Sequence, residues 1–321
     1  MKIFDFSDCE YSNRNGSYGG AAGDKDGILI NGEPWIAKYP KSNEGMARSD
    51  KLSRTTQTPL SEFIGSHIYG ILGYPVHETL LGIRNNFVVV ACKDFCDEKT
   101  RLLEMRTLKN IHIAEMNQKY QLDLHETNDN HLVDLNELFL HFERNPEISK
   151  IKGVAERFWD QIVIDGLIGN NDRNNGNWGI LATGNNRDLA PIFDNGASFY
   201  PKKSTFAIEQ LLKLSEEDQT RNNSNIQEPF TLDGEHHLNY KAMLNLDESQ
   251  IPEKQVELLK KAIAKNCILV EEKLPEIISF MKSVPNEFNG YEIITEPRRE
   301  YYLKSFITRF NEVLLNSKID S

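Results

Sequence analysis

Positive charge is what this sequence lacks most. Its 37 lysines and arginines are outnumbered by 48 aspartates and glutamates, which leaves a net charge of −11. A general nucleic-acid binder or a polybasic membrane-docking protein needs the opposite balance. Cysteine is scarce as well. Cys9, Cys92, Cys96 and Cys267 are too few for a disulfide scaffold, and no second pair stands at zinc spacing from Cys92 and Cys96. They read as reduced thiols of a cytosolic type of protein. Long apolar runs are missing too. The longest, around residues 87–92, falls far short of the ~20 residues that span a bilayer. The opening MKIFDFSDCE turns acidic at once and offers no signal-peptide core, so the expectation is a cytoplasmic protein without a membrane span. There is no internal repeat and no low-complexity tract.

What is present is an ordinary globular balance. With 321 residues, 39% of them hydrophobic, the chain can bury a sizeable core in two domains or one two-lobed unit. The first ninety-odd residues read as strand-rich with one helix. Runs at 28–30 and 35–39 flank Asn31-Gly32, a strong hairpin signal. Leu60, Phe63, Ile64, Ile68, Ile71 and Leu72 recur at helical spacing, with Thr58 expected as N-cap, Pro59 in the first turn and Gly73 as the stop. Two further strands are expected at 79–82 and 87–91. After Cys96 the chain turns charged and mostly helical, and 154–167 reads as a strongly apolar helix. Residues 197–230 are polar and weakly patterned, a candidate mobile segment. The expected class is α+β, with a small β-rich N-lobe over 1–96 and a larger helical C-lobe over 97–321.

The informative block is GNNDRNNGNWGILATGNNRDLAPIFDNGASF, residues 169–199. Asp172 and Asn177 lie five residues apart in a loop after the apolar helix. Strands are expected at 178–182 and 189–193. A hairpin centred between Asn185 and Asn186 sets position 177 opposite 194, so Asn177 and Asp194 should emerge together. One amide oxygen and two carboxylates suit Mg²⁺, which favours hard oxygen ligands beside substrate phosphates. A phosphoryl-transfer site needs such a set: one carboxylate to accept the attacking hydroxyl's proton, and an Asn and a second Asp for metal. The counterweight is that Asn and Asp are common loop residues, and this loop carries asparagines at 170, 171, 174, 175 and 177.

Upstream lie further parts. Lys38 sits mid-strand in Trp-Ile-Ala-Lys-Tyr, where an ammonium needs an anion nearby, unless it guards a sheet edge. Glu62 stands in the first turn of the following helix, as a partner for Lys38 or as a helix-dipole carboxylate. The glycine-dense segment 16–27 precedes the Lys38 hairpin. Its backbone N–H groups at Gly16, Ser17, Tyr18, Gly19 and Gly20 can face phosphates, although it is not a clean G-x-G-x-x-G. Glu235, His236 and His237 rank low as a metal site, because adjacent histidines rarely reach one ion. Tyr291, Tyr301, Tyr302 and Phe306 read as core of the helical lobe.

The order of these parts matters more than any one of them: glycine loop, strand Lys, helix Glu, Asp-x4-Asn, hairpin, Asp-x-Gly. The run 171–177 followed by Leu-Ala-Pro-Ile-Phe-Asp194 resembles the HipA-like serine/threonine kinases. So do Trp-Ile-Ala-Lys38-Tyr-Pro, Ser61-Glu62-Phe63 and Ala91-Cys92-Lys93-Asp94-Phe95. The resemblance spans roughly residues 15–200, and the short chain is similar to the compact, cell-translocating branch. It implies an ATP- and Mg²⁺-dependent protein kinase of protein-kinase-like fold that phosphorylates itself and a protein substrate. Asp172 is then the catalytic base, and Asn177 and Asp194 the Mg²⁺ ligands. Lys38 contacts the α/β-phosphates, with Glu62 its partner. Cys92, Lys93, Asp94 and Phe95 form the hinge that reads adenine, and Ser17 is the first candidate for autophosphorylation, ahead of Ser198, Ser204 and Thr205. The branch also implies a non-classical route of export.

The departures are informative. Asn174 stands where the family often has His, and the metal motif is Asp-Asn-Gly. Longer HipA toxins carry an extra N-terminal subdomain, so their antitoxin and operator contacts are not carried over. Two other functions stay open on the residues alone: a phosphoinositide-like or small-molecule kinase, which shares the Asp-Arg-x-x-x-Asn loop, and a pseudokinase acting as an interaction module.

Overall fold

The computed structural model describes residues 1–16, 24–43, 50–126 and 132–319. The class is α+β, sheet-rich at the N-terminus and mainly helical beyond. The chain forms two compact units, each drawn from three stretches. The first holds Met1–Phe95, Asn195–Arg221 and Glu272–Ile307; the second holds Cys96–Asp194, Asn222–Glu271 and Thr308–Ser321. The sequence reading divides the chain once, at residue 96.

In the first unit, strands Phe4–Asp5 (β1), Lys25–Ile30 (β2) and Glu33–Lys38 (β3) precede helix Thr58–Ile71 (α1). Strands Thr79–Arg84 (β4) and Phe87–Lys93 (β5) follow. The sheet order is β1-β4-β5-β3-β2. Both hairpins turn on two residues at positive φ, Asn31-Gly32 at 53° and 80° and Asn85-Asn86 at 49° and 64°. Loops of that geometry match the twist of the strands they join. Phe6, Ile28, Trp35, Ala37, Val89 and Ala91 form the buried face, and Leu60, Phe63, Ile64 and Ile68 of α1 are buried as well. Thr58 is not the cap it was expected to be. Gln57 holds that position without a side-chain bond, and the Thr58 hydroxyl donates instead to Thr56 Oγ1 at 2.9 Å. Pro59 is the second residue of the helix and Gly73, at φ 84°, follows its end.

The second unit begins with strand Thr100–Glu104 (β6), within a stretch expected to be helical, then helix Met105–Tyr120 (α2). The short strand Val133–Asp134 (β7) leads into helix Leu135–Arg144 (α3). Helix Val154–Ile168 (α4) is buried along almost its whole length, and strands Gly179–Thr183 (β8) and Asn186–Leu189 (β9) follow. β6, β8 and β9 form one antiparallel sheet. Phe158 of α4 centres an aromatic cluster, with Trp159, Phe230 and Phe142 rings at 5.0, 5.4 and 5.7 Å. The buried Trp159 indole N–H is satisfied by Gln255 Oε1 at 2.9 Å.

The polar stretch 197–230 is more ordered in secondary structure than its composition suggests. It contains helices Thr205–Leu212 (α5) and Glu216–Ser224 (α6). Ser204 caps α5 by accepting from Ala207 N at 3.0 Å. Within the first unit, Phe280 stacks on His67 of α1 at 4.8 Å and 4°, and Tyr302 stacks on Phe199 at 4.7 Å. Tyr301, Tyr302 and Phe306 are buried as expected, but in the first unit. No helix among the described residues is long and apolar enough to cross a membrane.

Inside the second unit His141 is fully buried. Burial, with Lys109 and His112 nearby, pushes its ring down to about 3. Asn145 Nδ2 donates to its Nδ1 at 3.1 Å, which fits a neutral ring. The unfolded chain takes up this proton below about pH 6.5, whereas the fold resists it. Stability from this group is therefore full above that pH and declines as pH falls toward 3, by up to about 1.4 kcal/mol per unit. Between pH 7.5 and 5.5 we expect about 1.4 kcal/mol of stability to be lost through His141. Urea unfolding of wild type and His141→Gln at both pH values checks it: an unchanged pH difference in the variant rules the assignment out.

Candidate active site

α4 ends at Ile168, and the chain enters the Asn-rich loop through Gly169 at φ 68°. This loop has little apolar surface to bury, so its shape rests on hydrogen bonds. Asp165, buried in the last turn of α4, is the anchor. A carboxylate in an apolar helix needs a charged or multiply bonded partner, and Arg173 supplies it. Arg173 Nε donates to Asp165 Oδ2 at 2.7 Å and Nη2 to Oδ1 at 3.1 Å, the two-pronged arrangement suited to guanidinium and carboxylate. Asn170 Nδ2 adds a bond to Oδ1 at 3.0 Å. The remaining prong, Arg173 Nη1, donates to Asn177 O at 2.6 Å and to Phe193 O. One guanidinium therefore joins the helix end, the loop residue Asn177 and the residue immediately before Asp194.

This clamp replaces the hairpin geometry inferred from sequence. The observed pairs are Thr183↔Asn186 through Ile180↔Leu189, so the turn is Gly184-Asn185, not Asn185-Asn186. Gly184, at φ 57°, takes the positive-φ corner more cheaply than asparagine. Extended, this register sets 177 opposite 192, and the ladder stops at Leu189. The two ligand candidates are drawn together by Arg173, not by strand pairing. Asp194 itself adopts φ 55°, an uncommon conformation for a residue with a side chain and one that clusters at functional sites.

Around Asp172, local asparagines do the bracing. Asn174 Nδ2 donates to the Asp172 carboxylate at 2.9 Å, and Asn174 Oδ1 accepts from Gly176 N at 2.8 Å. Asn177 Nδ2 donates to Asp172 O at 2.5 Å, which leaves its Oδ1 as the acceptor. Asn174 thus steadies the carboxylate from the position where the family often has histidine. Asp172 is exposed, and Asn177 and Asp194 are half-buried. The donors are two carboxylates and an amide oxygen, hard ligands that fit Mg²⁺.

The first unit holds the other group of candidates. Lys38 Nζ lies 3.5 Å from Glu62 Oε2, so the expected pair forms. Glu62 is 1% exposed and is not a surface helix-dipole residue. Burial pushes its carboxyl up, but the Lys38 ammonium, the His77 ring and the Asn195 N–H together hold it well below the usual carboxylate range. His77 Nε2 stands 2.9 Å from Glu62 Oε1 and 3.1 Å from Ser66 Oγ. Glu62, His77 and Cys92 bring one ligand atom each within 4.8 Å, but a thiol and an imidazole are poor company for Mg²⁺.

In the hinge candidates, Lys93 pairs with Glu33 at 2.6 Å and Asp94 with Arg14 at 2.7 Å. The N–H groups of Lys93 and Asp94 donate to the carbonyls of Glu78 and Pro34. Cys92 is buried and Phe95 half-buried. Gly16 sits at φ 83°, while Ser17, Tyr18, Gly19 and Gly20 lie outside the described residues. His236 bonds to Asp233 and His237 to Glu228 O, so these two rings turn to different partners. Sequence reasoning missed Arg173, Asp165, His77 and Asn195. Only Asp165 left a signal, as a lone carboxylate in an apolar helix.

This arrangement defines a protein-kinase-like fold. The structure matches the crystal structure of the Helicobacter pylori proinflammatory kinase CtkA with a TM-score of 0.81, at 27% identity, over 99% of this chain and 97% of that one. A likeness of fold extends to HipA of Shewanella oneidensis MR-1, solved with HipB and operator DNA, with a TM-score of 0.50 and 14% identity over 94% of this chain and 67% of that one. Residues 17–268 match the HipA-like C-terminal domain, and the chain belongs to that family. Serine/threonine-protein kinase CtkA of H. pylori strain J99 is 34% identical over 223 residues, 69% of this chain; the match spans 63% of that kinase's length.

Removing Arg173 would strand the buried Asp165 charge and free two carbonyls. Breaking a buried pair in this way costs about 3–5 kcal/mol. Arg173→Met should lose about that much in urea unfolding, and Asp165→Asn combined with it should recover part. A loss under about 1 kcal/mol for Arg173→Met would mean that the clamp is not structural.

Proposed function

We propose that this chain is a protein serine/threonine kinase of HipA-like type that uses ATP and Mg²⁺ and phosphorylates itself. The Arg173 clamp is the observation that supports this most, because it ties the loop carrying Asp172 and Asn177 to the residue before Asp194. Asn177 and Asp194 would hold the metal, which when bound neutralises charge on the transferring phosphate. Asp172, steadied by Asn174, accepts the proton of the attacking hydroxyl. Lys38, oriented by Glu62, meets the nucleotide phosphates. Cys92, Lys93, Asp94 and Phe95 meet adenine through the backbone groups that the sheet does not already use, and the segment 16–20 covers the phosphates. A protein is the proposed substrate, consistent with the chain's net charge of −11, which disfavours an anionic lipid. Of the hydroxyls considered for autophosphorylation, Ser198 is buried and Ser204 is held as a helix cap. Ser17 and Thr205 remain the candidates.

The test is ATP turnover and phosphopeptide mapping on the purified full chain with Mg²⁺. Asp194→Ala should lower turnover on the order of 10²–10³-fold, the usual effect of losing one preorganised electrostatic contact. Lys38→Ala should raise the KM for ATP while the chain stays folded, with a lower melting temperature because the buried Glu62 loses its ammonium partner. Wild-type rates in Asp194→Ala would remove the metal assignment. ATP turnover with phosphate on lipid and none on protein would assign the alternative kinase class, and no turnover at all would leave an interaction module.

A further inference from the structure

Asp194 is followed by Asn195 and Gly196, residues that the proposed chemistry does not use. Within the first unit both approach Glu62. Asn195 is fully buried. Its Nδ2 donates to Ser66 Oγ at 2.9 Å, and its backbone N–H donates to the Glu62 carboxylate. Ser66 Oγ in turn lies 3.1 Å from His77 Nε2, which stands 2.9 Å from Glu62 Oε1. A carboxylate only accepts, so the His77 nitrogen facing it carries the proton, and the serine hydroxyl has lone pairs left for Asn195. The four residues close a ring, Asn195–Ser66–His77–Glu62, and Lys38 attaches to it at Glu62 Oε2, 3.5 Å away. Glu62 and Ser66 are 1% exposed, Asn195 0% and His77 6%.

Gly196 explains how the chain comes so near. A Cβ there would lie 2.7 Å from Thr58 Cγ2 and 3.1 Å from Glu62 Oε2. The sequence Asp-Asn-Gly thus divides its work: the first residue for metal, the second for a buried latch, and the third for clearance beside Glu62.

We propose that Asn195, Ser66 and His77 are positioning residues that hold Glu62 in register with Lys38 and tie that pair to the chain segment leaving Asp194. The proposal rests on the kinase reading. None of the three touches a reacting atom; each acts through Glu62. A buried carboxylate enclosed by an ammonium, an imidazole and a backbone N–H cannot swing away from Lys38, whereas one that has lost Asn195 or Ser66 can. The effect of removing the latch must therefore pass through Lys38, and effects carried by a shared partner are non-additive.

The experiment uses the full chain with Asn195→Ala, Ser66→Ala, Lys38→Met and the double variant Asn195→Ala/Lys38→Met. ATP kinetics are measured alongside the rate at which acetic anhydride labels the Lys38 amine, read by mass spectrometry. Asn195→Ala should lower kcat/KM about tenfold, mostly through KM, and add little in the Lys38→Met background. Lys38 should label several-fold faster in Asn195→Ala and in Ser66→Ala, as its ion pair loosens. Fully additive kinetics, or unchanged Lys38 labelling in both variants, would overturn the proposal. If Asn195→Ala fails to fold, Ser66→Ala carries the same two measurements. If the wild type turns over no ATP, the kinase reading falls alone, and the labelling rates still decide the latch.

Discussion

The buried pair between Arg173 and Asp165 is the interaction on which the candidate site depends. Each ion alone would be costly to bury, and the pair is tolerable because its geometry is two-pronged and its leftover donor is used. That leftover donor makes it more than a structural pair, since it bonds to the carbonyls of Asn177 and Phe193. The loop between α4 and Trp178 has almost no apolar side chains to anchor it. An arginine fixed by a helix carboxylate gives it an anchor with the rigidity of the helix.

Three of the buried carboxyls among the described residues are accommodated in three ways. Asp165 has a guanidinium. Glu62 has an ammonium, an imidazole and a backbone N–H, which together outweigh burial. Glu228, fully buried, is pushed well up by burial and by the nearby Asp165 charge, and the Arg309 and Arg173 cations only partly oppose this. Arg173 already serves Asp165, so Glu228 is best kept as a neutral acid. Of these three, Asp165 and Glu62, which have cationic partners, are the ones beside the candidate chemistry.

How much of this was legible in the sequence varied with the range of the interactions. The Asn31-Gly32 hairpin and α4 could be read directly, because turn chemistry and apolar periodicity are local. The β8–β9 register was misread by two residues: Asn185-Asn186 looked like the turn, but Gly184 accepts positive φ at lower cost. β6 was missed because Thr-Arg-Leu-Leu-Glu carries no clear alternation, and its strand state comes from pairing with β8. α5 and α6 were hidden by polar composition. Lys38 and Glu62 could be paired from their order in the chain. His77 and Asn195 could not, since they reach Glu62 only through tertiary packing and look like ordinary residues in their own neighbourhoods.

The first unit is discontinuous, and this bears on how the protein is made. Every motif residue lies before position 200, yet the unit also needs 272–307. Phe280 covers His67 and Phe63 of α1, and Tyr302 covers Phe199. Contacts across roughly 100 to 200 residues form late, because a long loop must close before they reward the chain. On the ribosome, the N-terminal sheet emerges before residues 272–307 and waits for them. A nascent chain that stops short of them thus carries the complete set of motif residues on an unfinished scaffold.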